Sequence, residues 1–210
     1  MIEEEIARHK QVLRLHLPEG AVDELYNFLR ANNVRLHITR ERRSKLGDYK
    51  CPQLGHQFHE ISVNGDLNRY YFLLVLLHEM AHLDTFLLYQ NSVKPHGHEW
   101  QEQYRRRLKS FVRQFPSDVA ELVEKYVRRI PLNQTIGKQI ESVLMKYNPG
   151  YDPAVDLLLK DLEVGARFRI KTRPHMVLEI EEKRRTRYRC VDVATGNMYL
   201  VAGNAPVIKC

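Results

Sequence analysis

From Tyr70 to Leu77 the chain runs through eight uncharged residues and then sets three ionisable side chains into the next five positions, His78-Glu79-Met80-Ala81-His82. Leu83 to Tyr89 is again mostly apolar. Apolar residues fall on every face of a helix drawn from about Leu67 to Tyr89, which predicts a central buried helix rather than a surface one. The apolar run before His78 is too short to span a bilayer, and a soluble chain is expected, with no membrane partner. Ionisable groups inside such a helix are costly unless something satisfies them. At a spacing of four, His78 and His82 share one helix face, roughly 6 Å apart at the backbone. Two imidazoles so placed can converge on one tetrahedral zinc at about 2.0–2.1 Å each. Glu79 then lies beside the metal, where it can accept a proton from a bound water. The plainer account, two histidines on a helix surface, fits poorly with the apolar surroundings.

A catalytic zinc usually takes three protein ligands and keeps one open position. Thr85 and Leu88 stand where the extended metzincin motif wants Gly and His, which excludes that class. Glu102 is twenty residues past His82, a spacing similar to thermolysin-like enzymes, although Gln101 and Gln103 do not match that class further. His96, in Pro95-His96-Gly97-His98-Glu99-Trp100, is the stronger candidate. Gly97 permits an unusual backbone there, and Trp100 can pack the segment onto the core. His98 competes as a ligand, with a surface or supporting role the better account. His56 and His59 flank Phe58 and read as ordinary loop or strand histidines.

Around this helix the pattern is mixed. A helix is expected over Ala21–Ala31, then an alternating strand Val34–Thr39, with short strands at Lys45–Tyr49 and His59–Asn64. After the break at Lys94-Pro95-His96-Gly97, a helix is expected from Glu99 to Gln114, and another from Ser117-Asp118 to Ile130, each closed by a proline. Residues 131–161, with Asn148-Pro149-Gly150 in the middle, look like a helical linker. Beyond Gly165 the segments 166–170, 176–180, 186–193 and 198–201 read as strands, with a turn at Thr195-Gly196-Asn197. The expected class is α+β, with a metalloprotease-like domain over 1–132, a helical linker over 133–162 and a small basic all-β unit over 163–210.

Leu77-His78-Glu79-Met80-Ala81-His82 followed by His96-Gly97-His98-Glu99-Trp100 resembles the SprT-like (Spartan-like) zinc metalloproteases. The resemblance covers at most the first two-thirds of the chain. It implies a zincin-like core, a small sheet packed on the motif helix, with His78, His82 and His96 as zinc ligands and Glu79 as the catalytic residue. It implies hydrolysis of peptide bonds in protein substrates, since proteolytic members act in DNA–protein crosslink repair on proteins attached to DNA. Several members carry a Cys-rich zinc ribbon after the protease domain. This chain has no Cys-x-x-Cys pair, so it resembles the bacterial type without the ribbon, and the β-rich tail takes that place.

Charge sets up a competing reading. The chain carries 33 Lys+Arg against 26 Asp+Glu, a net +7, and its last 48 residues hold ten basic and five acidic side chains. Tyr188 lies among arginines in Lys183-Arg184-Arg185-Thr186-Arg187-Tyr188-Arg189-Cys190. Basic and aromatic residues interleaved on a small sheet can hold a nucleic-acid backbone and stack bases, so non-specific nucleic acid is a possible partner. The alternative to a protease is therefore a non-catalytic zinc module that binds nucleic acid or protein through this tail; a zinc hydrolase of small amides is a third. Arg105-Arg106-Arg107 cannot all face one partner on a helix and reads as a solvated face. Three scattered cysteines, Cys51, Cys190 and Cys210, argue against a disulfide framework, and the acidic N-terminus lacks an apolar signal core, so a cytoplasmic setting is expected.

Overall fold

Residues near the N-terminus, notable in the sequence only for their acidity, fold into helix α1 (Ile2–His16). Glu3, Glu4 and Glu5 occupy its first turn and Arg14 and His16 its last, the charge order that a helix dipole favours. Leu13 and the following Leu17 are buried, with Ile6 packed against them. The computed structural model describes residues 2–42, 44–53, 57–151, 157–171, 173–185, 187–203 and 205–210; His56 and Thr186 lie outside the described residues. The chain divides into two units, Met1–Asn148 and Pro149–Cys210.

In the first unit, helix α2 (Val22–Ala31) buries Val22, Leu25, Tyr26 and Leu29 at helical spacing. Strands β1 (Val34–Thr39), β2 (Gly47–Lys50) and β3 (His59–Asn64) form one sheet in the order β1-β3-β2. β3 runs parallel to β1 and antiparallel to β2. It is the central strand, and its Ile61 and Val63 are fully buried. β2 is an edge strand and packs against helix α3 (Arg69–Tyr89). α3 has the length and apolar content of a membrane-crossing helix, but it is the core helix of this unit, with Phe72 to Leu77 buried without interruption. Helices α4 (His98–Phe111), α5 (Ser117–Tyr126) and α6 (Gln134–Leu144) complete the unit. α4 passes into a short 3-10 turn over Val112–Gln114, and α5 ends at Tyr126 rather than at Ile130.

Residues 133–148 are not a linker. Asn133 caps α6 by accepting hydrogen bonds from the N–H groups of Thr135 (2.9 Å) and Ile136 (3.2 Å). Ile140 and Leu144 are buried in the same core as α3 and α5. Asn68 ties the two ends together. Its Oδ1 accepts from the N–H groups of Tyr70 (3.2 Å) and Tyr71 (3.0 Å), capping α3. Its Nδ2 donates to the Leu144 carbonyl and to Asn148 Oδ1, each at 2.8 Å. Asn68→Ala removes the cap and strands a buried carbonyl, so a loss of about 2–3 kcal/mol is expected in denaturant unfolding of the protein.

Among the described residues the first strand of the second unit is β4 (Leu157–Leu158), inside the segment expected as linker, and Leu159 is buried in that unit's own core. β5 (Arg167–Ile170), β6 (Arg173–Lys183), β7 (Arg187–Asp192), β8 (Met198–Ala202) and β9 (Pro206–Lys209) follow. The sheet order is β4-β9-β5-β6-β7-β8, with antiparallel pairing throughout. Alternation along β7 turns Tyr188 and Cys190 inward, and Tyr188 is only 3% exposed. Its ring belongs to the core and is not a stacking platform for a base. Several of the surrounding basic groups are already paired. Arg189 lies 3.0 Å from Glu181 and 3.6 Å from Glu182, Arg184 lies 3.3 Å from Glu182, and Arg167 lies 2.8 Å from Glu179.

Candidate metal centre

α3 delivers His78 and His82 to one face, four residues apart, and the turn before α4 delivers His96 to meet them. The Nε2 atom of His96 is 3.1 Å from that of His78 and 3.1 Å from that of His82. Among the described residues these three are the group of ligand-type side chains that could hold a metal ion, with their ligand atoms all within 4.8 Å of one another. A neutral imidazole Nε2 offers either one hydrogen or one lone pair, so the His96 nitrogen cannot form good hydrogen bonds to both neighbours at once. A cation between the rings takes one lone pair from each. Nitrogens at this separation, each about 2.0–2.1 Å from a common ion, subtend roughly 100° there, which a distorted tetrahedral site accepts. The donor set fits a metal.

Electrostatics favours the ligand form. Burial, reinforced by His82 and His96, pushes His78 down to about 3. Burial and then His96 push His82 down to about 4, with Asp48 acting the other way. Burial also lowers His96. All three rings are neutral at pH 7 and keep a lone pair available. Glu79 is 6% exposed. Burial first and Asp48 second push its carboxyl up to about 7, against the pull of Arg42 and Lys45.

Several residues build this arrangement. Trp100, at 5% exposed, packs against all three imidazoles, with ring centroids 4.6 Å from His78, 5.2 Å from His82 and 4.6 Å from His96. The strained backbone falls on His96 itself, at φ +57°, and not on Gly97, whose φ is −66°. Gly97 is required for a different reason: a Cβ there would lie 2.9 Å from the Lys94 carbonyl oxygen. Gln101 donates from Nε2 to the His96 carbonyl (3.1 Å) and accepts from the Leu132 N–H (2.9 Å), fixing the turn to the segment before α6. Arg107 grips Asp84 of α3 through two bonds of 2.6 and 2.7 Å and lies 4.0 Å over the Phe28 ring, clamping α4 to α3. Arg105 and Arg106 both pair with Glu102, at 3.0 and 3.1 Å. The arginine run therefore makes specific contacts. Glu102 is engaged by these cations, and His98 is exposed at the start of α4.

Two residues carried no functional signal in the sequence. His59 is buried, hydrogen-bonded through Nδ1 to the Tyr49 hydroxyl at 2.9 Å, and Tyr49 in turn stacks on His82. Gly47 on β2 passes so close to α3 that a Cβ would lie 2.5 Å from Glu79 Oε1 and 2.7 Å from Val75 Cγ1. Gly47→Ala is expected to displace the Glu79 carboxylate while leaving metal content unchanged. Any hydrolytic rate should fall by about 10- to 100-fold, as a misplacement of about 1 Å does elsewhere; metal analysis beside a rate measurement checks both halves.

Residues 21–121 match the family model of the SprT-like family. Over this span the chain is similar to the SprT-like family. No curated protein and no solved structure matches the chain. The SprT-like segment contains β1, β2, β3, α3 and α4, and so all of His78, Glu79, His82 and His96. The family is of metallopeptidase type and metal-dependent, which agrees with a three-histidine cluster able to hold an ion. α6 lies outside the SprT-like match.

Proposed function

We propose that the first unit is a zinc metallopeptidase that hydrolyses peptide bonds of protein substrates, with His78, His82 and His96 holding the zinc and Glu79 moving the proton. The observation that carries this is the meeting of three neutral imidazole nitrogens beside a buried carboxyl held near pH 7. When bound, zinc supplies Lewis-acid polarisation of a carbonyl and lowers the pKa of water at the site to about 7. Glu79 takes the proton of the attacking water and returns it to the leaving amine, and a pKa near neutrality suits both transfers. Trp100 holds the planes of the three rings. A cavity of about 470 Å3, lined by Tyr49, Cys51, His82, Phe86 and Trp100, opens on one side of the imidazoles, and a second of about 300 Å3 includes His78 and Glu79. Cavities on both sides favour a polypeptide crossing the site over a small amide. DNA-associated or DNA-crosslinked proteins are the substrates that the family resemblance brings forward, and free thiols at Cys51, Cys190 and Cys210 suit a reducing cytoplasm.

The test is metal removal. Cleavage of an unfolded protein such as casein is expected to stop after chelation and to return on adding zinc in one equivalent per chain. Cleavage that persists in the metal-free protein would refute the assignment.

A further inference from the structure

The smaller cavity takes in His78 and Glu79 and is walled by Leu46 and Gly47 at β2 and by α3, α4 and α6. Beyond the site residues its walls include Leu74, Val75 and Tyr71 of α3, Tyr104 of α4, and Glu141 of α6. Because His78 and Glu79 both line it, it is the natural seat for a side chain next to the bond being cut. The walls suit an aliphatic stem. The polar groups suit only one kind of tip. Among the described residues no hydrogen bond or salt bridge engages the Glu141 carboxylate, although the side chain is accessible to solvent. Tyr104 is 6% exposed, and neither its hydroxyl nor that of Tyr71 makes a hydrogen bond among the described residues. Beside Glu79, the cavity thus holds the unpaired Glu141 carboxylate and two phenolic oxygens without a hydrogen bond among the described residues.

We infer that this cavity is a specificity pocket for a lysine or arginine side chain of the substrate, with Glu141 as its counter-charge. An ammonium brings three donors and a guanidinium five, enough for the carboxylate and both hydroxyls. An apolar side chain leaves those groups unmatched, and an acidic one meets Glu141 and Glu79. Burial raises the Glu141 carboxyl above its ordinary value, and only Lys138, exposed one turn back on α6, offsets this. A cation seated in the pocket would supply the missing compensation. The charge comes from α6, outside the SprT-like match, so the preference belongs to this chain and not to the matched segment.

The inference rests on the peptidase reading, and two measurements keep the two apart. The first is cleavage of a peptide series that differs only in one residue flanking the cut, lysine or norleucine. The ratio of kcat/KM for lysine over norleucine is expected to be about fivefold to tenfold in the wild type, to fall to near one in Glu141→Gln, and to favour glutamate in Glu141→Lys. The second is calorimetric binding of the same peptides to Glu79→Gln protein, with and without Glu141→Gln, where the same preference should appear and vanish. Peptides cut with no preference for lysine, or a preference that survives Glu141→Gln, overturn the pocket. Lysine-selective binding that depends on Glu141 in a protein that cuts nothing supports the pocket and refutes the peptidase.

Discussion

Glu79→Gln is expected to keep its full metal content and to lose about 10²- to 10⁴-fold in kcat/KM on a protein substrate, the usual share of a general base. The amide has the shape of the carboxyl but cannot take a proton, and the proposed ligands are all histidines, so the metal stays. The same variant carries a stability signature in the metal-free protein. The Glu79 carboxyl titrates near 7 in the fold and near 4.5 when unfolded. Between those values the folded state holds a proton that the unfolded state has lost, so wild-type stability falls as pH rises through that window and then levels off. The glutamine has no such penalty. Relative to the metal-free wild type, Glu79→Gln should be of similar stability near pH 4.5 and more stable by about 2–3 kcal/mol at pH 8. Urea titrations in chelator at the two pH values read this directly. Equal cleavage by the variant would remove Glu79 from the chemistry, and a pH-independent stability difference would remove its raised pKa.

Two of the three clustered histidines are legible because they are written in one helix. Spacing alone puts His78 and His82 on one face, and the unbroken apolar context marks α3 as the core helix. The sheet strands β1 and β3 follow from simple alternation. What stayed hidden depends on contacts between distant segments. Gly47 reads as a turn point, yet its function is the absence of a Cβ against Glu79, and no spacing within β2 reports that. α6 looked like a linker because Pro131 and Asn148-Pro149-Gly150 bracket it. A finer signal was present in the cap Asn133 followed by Ile136, Ile140 and Leu144 on one face. α1 offers few buried or half-buried apolar anchors, Ile6, Leu13 and, just past its end, Leu17, too sparse to register as a periodic face. In the tail, Tyr188 looked like a surface aromatic because arginines surround it in sequence, whereas strand alternation sends it and its neighbours to opposite faces.

Under the proposed function, the identity of the third ligand separates two kinds of metal site, and a pair of variants decides it. His96 reaches the cluster from a left-handed backbone, on a turn held by the Gly97 N–H bonding the Lys94 carbonyl at 3.0 Å and by the Gln101 amide. A non-glycine residue keeps that conformation only where the surrounding structure over-determines it, at a cost of about 1–3 kcal/mol. Such strain makes sense if a bound ion offsets it. Glu102, in contrast, already neutralises Arg105 and Arg106 on the outer face of α4. His96→Ala is therefore expected to weaken zinc binding by more than about 100-fold, beyond the losses usual for residues that only support a ligand. The metal-free variant should fold normally, because His96 is exposed and the bonds that hold its turn do not use its side chain. Glu102→Ala should bind zinc as the wild type does, with a stability change under about 1 kcal/mol for its surface pairs. Competition titration with a chromophoric chelator gives both affinities. Zinc lost from Glu102→Ala but retained by His96→Ala would transfer the third position to α4 and leave the strain at His96 without a purpose.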